Sequence, residues 1–237
     1  MALSGETRRL LQQASVATLA TQLLKRGLRN TVMAGPAPLA APAQPMVGEA
    51  FTLRYIPARE DIDDIAALGD REHPQRKAIE TVPPGQVLVV DCRGERGTAA
   101  IGAILAVRLR VRGVAGLVAD GGVRDAAEAA GTGLPIFCLG AAAPANVTRH
   151  HAADFGRPIA CGGVAVYPGD IIVGDGDGVV VVPAHLADEI AAPAAEQERL
   201  EAFLFREIAG GAPLFGTYPP DADTMARYRG GDRTGGL

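Results

Sequence analysis

Where one apolar run ends, two opposite charges stand side by side: Val118-Ala119-Asp120-Gly121-Gly122-Val123-Arg124-Asp125 leads a predicted strand through a glycine turn into Arg124 and Asp125. A guanidinium offers two parallel N–H donors that match a carboxylate, and an adjacent aspartate is an oxygen ligand for a hard divalent cation or its waters. Strand ends in open α/β sheets are where ligands bind. The octapeptide reads equally as a surface ion pair beside a structural turn. A second stretch, Gly102-Ala103-Ile104-Leu105, falls in the helix predicted before that strand. If this helix begins or kinks at Gly102, its unpaired N–H groups and positive end bind a carboxylate together with Arg124, and Asp125 holds the divalent ion. Glu128, one turn beyond Arg124, is either a helper in proton transfer or an exposed surface residue.

Other constellations carry less. In Gly174-Asp175-Gly176-Asp177-Gly178 an EF-hand would need an oxygen ligand at Val179 and a glutamate at Leu186. A dinucleotide site would need a helix where residues 179–182 are a strand, so the segment reads as a turn. His150 and His151 are adjacent, which turns them apart on a strand or a helix; they suit no shared metal and are expected in a loop. No Gly-x-Ser-x-Gly elbow and no His-Glu-x-x-His pair occurs, so hydrolysis by a serine nucleophile or zinc has no support. Arg108, Arg110 and Arg112 fan around a helix and are expected on a solvated or intersubunit face. Cys92, Cys138 and Cys161 are odd in number and set among apolar neighbours, so they are expected as core thiols, not as a disulfide framework or zinc ligands.

These residues need a frame. Strands are predicted at 50–56, 87–90, 115–119 and 135–139, alternating with helices at 98–112 and from Arg124; such βαβ wiring requires a parallel sheet buried on both faces. Ser15 caps a predicted helix that stops at Gly27 and docks outside the main sheet. Residues 35–45 carry Pro36, Pro38, Pro42 and Pro45 and read as a linker. Short β runs at 164–167, 171–173 and 179–182 are joined by tight turns. A last helix spans 184–208, and the Pro- and Gly-rich tail beyond it is expected to pack on a neighbouring subunit or to stay disordered. The chain thus divides into 1–46 (N-terminal helices and linker), 47–209 (an α/β domain with the C-terminal helix) and 210–237 (tail).

Composition narrows the partners. At 237 residues, 48% hydrophobic and 21% charged, the chain is expected to be soluble with one core. Its 23 basic and 27 acidic residues give a net charge of −4, without the broad positive field that direct nucleic-acid binding needs. There is neither an apolar run of the ~20 residues needed to cross a bilayer nor a secretory leader pattern, so no membrane association and a cytoplasmic location are expected. With aromatics at 4% and 30 glycines, the core must be built from Ala, Val, Leu and Ile in a turn-rich fold.

The stretch from Gly113 to Asp125, followed in order by Gly162-Gly163-Val164, Pro168-Gly169-Asp170 and Asp177-Gly178-Val179-Val180-Val181-Val182-Pro183, resembles the RraA-like family. That family includes the regulator of ribonuclease activity A and the class II 4-hydroxy-4-methyl-2-oxoglutarate aldolases. The resemblance runs from Ser15 to Ile190. It implies an α/β fold, a compact β/β/α sandwich of the swivelling-domain type with N-terminal helices and a long C-terminal helix, assembled as homotrimers or homohexamers with sites between subunits. Aldolase members cleave pyruvate from 4-hydroxy-2-oxo acids and decarboxylate oxaloacetate through a pyruvate enolate, using Mg²⁺ or Mn²⁺. Carried onto this sequence, the backbone of Gly102, Ala103, Ile104 and Leu105 would cradle the carboxylate of a small 2-oxo acid, Arg124 would clamp it and Asp125 would contact the metal. One position departs from the pattern. Where active aldolases of the family carry an aspartate separated from the Arg-Asp pair by twenty intervening residues, this chain has Ala103, whose methyl group cannot relay a proton. The resemblance therefore implies a metal-dependent lyase altered or impaired at that step; the alternative is a non-catalytic regulator that binds a ribonuclease or another protein. The intact Arg124-Asp125 pair tilts the reading towards a small-molecule site.

Overall fold

The protein is described here by a computed structural model covering residues 3–231; the ends of the predicted first and last segments lie outside the described residues. Its strands are Ala37–Pro38 (β1), Met46–Pro57 (β2), Val87–Asp91 (β3), Ala99–Ile101 (β4), Gly116–Ala119 (β5), Gly122–Val123 (β6), Ile136–Cys138 (β7), His150–Phe155 (β8), Ile159–Cys161 (β9), Val164–Val166 (β10), Ile171–Asp175 (β11) and Gly178–Val182 (β12). Its helices are Gly5–Leu11 (α1), Val16–Leu24 (α2), Pro74–Thr81 (α3), Ala103–Val111 (α4), Ala126–Gly131 (α5), Ala187–Ala209 (α6), Leu214–Thr217 (α7) and Ala222–Gly230 (α8). None is long and apolar enough to cross a membrane.

β2, β3, β5 and β7 run parallel, and β3 and β5 are buried at every position, the pattern of strands covered on both faces. β2 is long enough to take two further partners in succession, antiparallel β11 through residues 46–49 and antiparallel β8 through 53–57. With β12 beyond β11 and β1 beyond β7, the sheet order is β1-β7-β5-β3-β2-β11-β12. It nearly closes on itself, since the Met33 N–H donates to the Val179 carbonyl at 2.9 Å. The interior admits Met46 and Phe137 because glycines face them. A Cβ on Gly116 would lie 2.1 Å from Met46 Sδ, and one on Gly174 2.7 Å from a Phe137 ring carbon.

Helices cover the sheet on two sides. α3, α4 and α5 enclose one core around Leu53, Tyr55, Leu88, Leu109 and Leu117, while α1, α2 and the alanine-rich face of α6 pack on β11 and β12 around Leu19, Leu23, Val173 and Ile190. The mixed α/β architecture with a long C-terminal helix is as expected. So are the Ser15 cap, whose hydroxyl accepts from the Thr18 N–H, the left-handed Gly27 (φ 85) and the three buried free thiols.

Four expectations are corrected. The helix predicted from Thr98 begins at Ala103, because residues 99–101 pair in parallel with β6. His150 and His151 lie on β8, not in a loop, since that strand finds its partner in β2. The proline linker contributes β1 to the sheet edge. The described part of the tail, residues 210–231, is helical, not disordered: α8 packs on α6, with Phe203 and Tyr228 ring centroids 5.5 Å apart and Arg227 paired to Glu207 at 3.0 Å.

Candidate functional site

β5 ends in a carboxylate that fastens its surroundings. Asp120, 6% exposed, accepts from the Cys92 N–H at 2.5 Å and from the Gly94 and Gly162 N–H groups at 3.2 Å. It thereby ties the segments after β3 and β9 to the end of β5. Burial pushes its pKa above the usual carboxylate value, against the pull of those donors. The next two residues sit where no side chain fits. A Cβ on Gly121 would lie 2.6 Å from Cys92 Cβ, and one on Gly122 2.4 Å from Ala142 Cβ. The Asp-Gly-Gly sequence is thus a packing requirement, and β6 carries the chain from it to Arg124.

The Arg124 N–H donates to the Ile101 carbonyl at 2.9 Å, which holds this segment against the end of β4. The exposed guanidinium makes no ion pair among the described residues, and in particular none with Asp125. Asp125 adopts the left-handed conformation (φ 51, ψ 49), which aspartate tolerates better than most residues. Its exposed carboxylate takes no hydrogen bond among the described residues and lies beside Gly102, where a Cβ would come within 3.2 Å of Oδ2 and 3.4 Å of Arg124 Cβ. Gly102 is the N-cap of α4, and its carbonyl accepts from both Leu105 and Ala106 at 3.1 Å. The N–H groups of Gly102, Ala103 and Ile104 have no acceptor among the described residues. The positive end of a nine-residue helix therefore opens beside Asp125.

A cavity of ≈ 210 Å³ brings these groups together, with Gly102, Ile104, Leu105, Arg124 and Asp125 in its wall. Ala103 is not in that wall; its methyl packs against the edge of the α3–α5 core. Glu128 is exposed on α5 and also lies outside the wall. Sequence reasoning missed the other wall, Gln75, Arg76 and Asn146. Pro74 at the first position of α3 was a usable helix-start signal for two of them, whereas nothing marked Asn146.

The floor is a buried polar cluster. Gln75 Nε2 donates to the Tyr55 hydroxyl and to the Ala100 carbonyl, each at 2.8 Å, and the Tyr55 hydroxyl donates to the same carbonyl at 3.1 Å. Gln75 Oε1 and Asn146 Nδ2 are buried without a hydrogen bond of good geometry, although Asn146 lies close enough to the Tyr55 hydroxyl to stabilise a phenolate. Tyr55 stacks on His150 with centroids 4.8 Å apart. Burial raises the phenol pKa strongly, and burial with the Arg93 charge lowers the imidazole to about 4, so both rings are neutral at pH 7.

Comparison with known proteins follows the same lines. The RraA-like family model, described as Aldolase/RraA, matches residues 16–181. A Halalkalibacterium halodurans protein named as a proposed 4-hydroxy-4-methyl-2-oxoglutarate aldolase is 35% identical over 122 residues, 52% of this chain and 58% of that protein, so the chain spans little more than half of that relative. The crystal structure of Streptomyces coelicolor RraAS2, described as an unusual member of the RNase ES inhibitor RraA protein family, is 36% identical with a TM-score of 0.75, covering 86% of this chain and 97% of its own. An uncharacterized protein from Pseudomonas syringae pv. tomato superposes with a TM-score of 0.80 at 26% identity, over 93% of this chain and 96% of its own. Matched by the family model over most of its length and by a solved member across nearly the whole fold, this chain belongs to the RraA-like family.

Proposed function

We propose that this chain is a divalent-metal-dependent lyase acting on small 2-oxo acids, of the 4-hydroxy-2-oxo acid aldolase or oxaloacetate decarboxylase type. One observation carries the reading: a guanidinium, a carboxylate and helix-end N–H groups, all without a partner among the described residues, share one cavity. Its ≈ 210 Å³ falls below the roughly 300 Å³ at which sites for drug-sized ligands begin, which suits a small acid. Arg124 would bind the substrate carboxylate through two N–H donors, and the N–H groups at 102–104 would orient its oxygens.

Asp125 would hold Mg²⁺ or Mn²⁺. A single protein carboxylate fits such ions, which keep several waters and take further oxygens from the substrate, and among the described residues no cluster of three His, Cys, Asp or Glu forms a closed cage. When bound, the cation stabilises the negative charge that carbon–carbon cleavage leaves on the oxo group. Asp125 is the one acid or base in the described cavity wall, so proton transfer otherwise falls to water. Aldol cleavage needs a base to remove the C4 hydroxyl proton, whereas decarboxylation releases CO₂ without one. The wall therefore suits oxaloacetate better than a 4-hydroxy-2-oxo acid. Pyruvate release from both substrate types, assayed with Mg²⁺ and with Mn²⁺, tests the reading; inactivity of folded protein across the panel overturns it.

The homotrimer or homohexamer that the family resemblance implies belongs to the same proposal. Ile104, Val107 and Val111 share one face of α4 and are 83%, 49% and 72% exposed, an apolar stripe that a neighbouring subunit would cover. Ile104→Asp should then dissociate the assembly in sedimentation.

The methyl group at 103 and the likeness to RraAS2 favour a second reading, a regulator that binds a ribonuclease or another protein. Direct binding of a purified ribonuclease, without turnover of any 2-oxo acid, decides for it.

A further inference from the structure

We propose that Arg76 is a specificity-determining residue of this site, reading a second carboxylate at the end of the substrate distal to the one held by Arg124; the proposal rests on the lyase reading above. Arg76 stands in the first turn of α3 and lines the same cavity as Arg124 and Asp125. Its Nε donates to the Leu68 carbonyl at 3.1 Å, which fixes the stem and leaves the two terminal nitrogens free. No carboxylate pairs with it among the described residues, in contrast to Arg8, Arg26, Arg54 and Arg108, each of which has an acidic partner.

The charge of the wall calls for a dianion. Two guanidinium groups face one carboxylate, Asp125, so the wall carries excess positive charge before any cation is added. A monocarboxylic oxo acid answers Arg124 alone; a dicarboxylic one answers both arginines, each through a planar pair of N–H donors. Beside Arg76, Gln75 is 1% exposed with both its donor bonds used, so its unpartnered Oε1 can only accept. A carboxylate tail, which like that oxygen only accepts, can meet it only through a water that donates to both; an alkyl tail holds no such water.

Two acids of equal length separate the roles: 2-oxoglutarate ends in a carboxylate and 2-oxopentanoate in a methyl group. Calorimetric titration of the full chain with Mg²⁺ should show about 10- to 100-fold tighter binding of 2-oxoglutarate, the range expected for hydrogen bonds to a charged group. Arg76→Met should weaken 2-oxoglutarate by about 10- to 100-fold more than it weakens 2-oxopentanoate or pyruvate, erasing the preference, and Arg76→Lys should restore part of it. Equal affinities in the wild type, or equal weakening of both acids in Arg76→Met, overturns the assignment of Arg76 while Arg124-dependent pyruvate binding still stands. Failure of pyruvate and both longer acids to bind, with Arg124→Met without effect, overturns the lyase reading and this proposal together.

Discussion

Asp125 accepts no hydrogen bond among the described residues, and a divalent cation beside a bound oxo acid is the partner of the right hardness for its charge. Asp125→Asn keeps a side chain that tolerates the left-handed backbone and removes the charge. Titration should show Mg²⁺-dependent pyruvate binding lost in this variant, with unfolding stability within about 0.5 kcal/mol of wild type because the residue is exposed. Unchanged metal dependence would remove Asp125 from the proposal. Position 103 poses the complementary question. A carboxylate there would stand in the first turn of α4, where the helix dipole favours it, next to N–H groups already free. General base catalysis contributes about 10²–10⁴-fold where it operates. Ala103→Asp should therefore raise cleavage of 4-hydroxy-2-oxo acids by at least about 10-fold relative to oxaloacetate decarboxylation in the same preparation. A ratio that stays put would show that the methyl group is not what limits proton transfer.

The elements meet at Asp120, where one carboxylate joins the end of β5 to the segments after β3 and β9 and so sets the position from which β6 launches Arg124. Asp120→Asn would turn an amide N–H₂ towards backbone donors. It should lower stability by about 1–3 kcal/mol and weaken pyruvate binding without touching the ligand, as urea unfolding and calorimetry on one sample would reveal. Unaltered binding in the destabilised variant would show that the turn holds Arg124 without this clip. The same region marks what a sequence discloses. Residues 87–90 and 115–119 were legible as strands because every side chain is apolar, a pattern that needs no knowledge of partners. The Arg-Asp pair of the near wall could be read for a related reason, as a local feature after a glycine turn, whereas the helix start at Gly102 lay inside a helix predicted from Thr98. Ala99–Ile101 was not legible, because its extended form depends on pairing with β6 and on Tyr55 and Gln75 both binding the Ala100 carbonyl. Nor was the far wall. Gln75, Arg76 and Asn146 come from α3 and from a 3₁₀ turn, and only the fold brings them to one cavity.

For the whole molecule, acid stability is decided at the junction of β8 with β2, directly under the cavity floor. His150 is 1% exposed, stacks on Tyr55 and has Arg93 Nη2 3.3 Å from Nδ1. Arg93 can only donate, so Nδ1 is the acceptor and the buried Nε2, which finds no partner, bears the proton. Burial first, then the Arg93 charge, lowers this imidazole from 6.5 to about 4. Between those two values the unfolded chain binds a proton that the folded one refuses, so stability present above pH 6.5 is lost as the pH falls through the window, by up to about 3 kcal/mol at 1.36 kcal/mol per pH unit. Asp91 and Asp120 act with the opposite sign. Burial raises both, so the folded state holds their protons more tightly than the unfolded chain, and their titration adds stability as the pH falls. A wild-type curve mixes the two effects; a variant that keeps the stack and removes one titrating group separates them. His150→Phe retains a ring against Tyr55 and has nothing to protonate. Urea unfolding at pH 7.5 and pH 5 should show the wild type losing about 2 kcal/mol more than His150→Phe over that interval. Equal losses would mean that His150 either binds its proton in the folded state or titrates like a free side chain, and would move the origin of acid sensitivity away from the floor of the site.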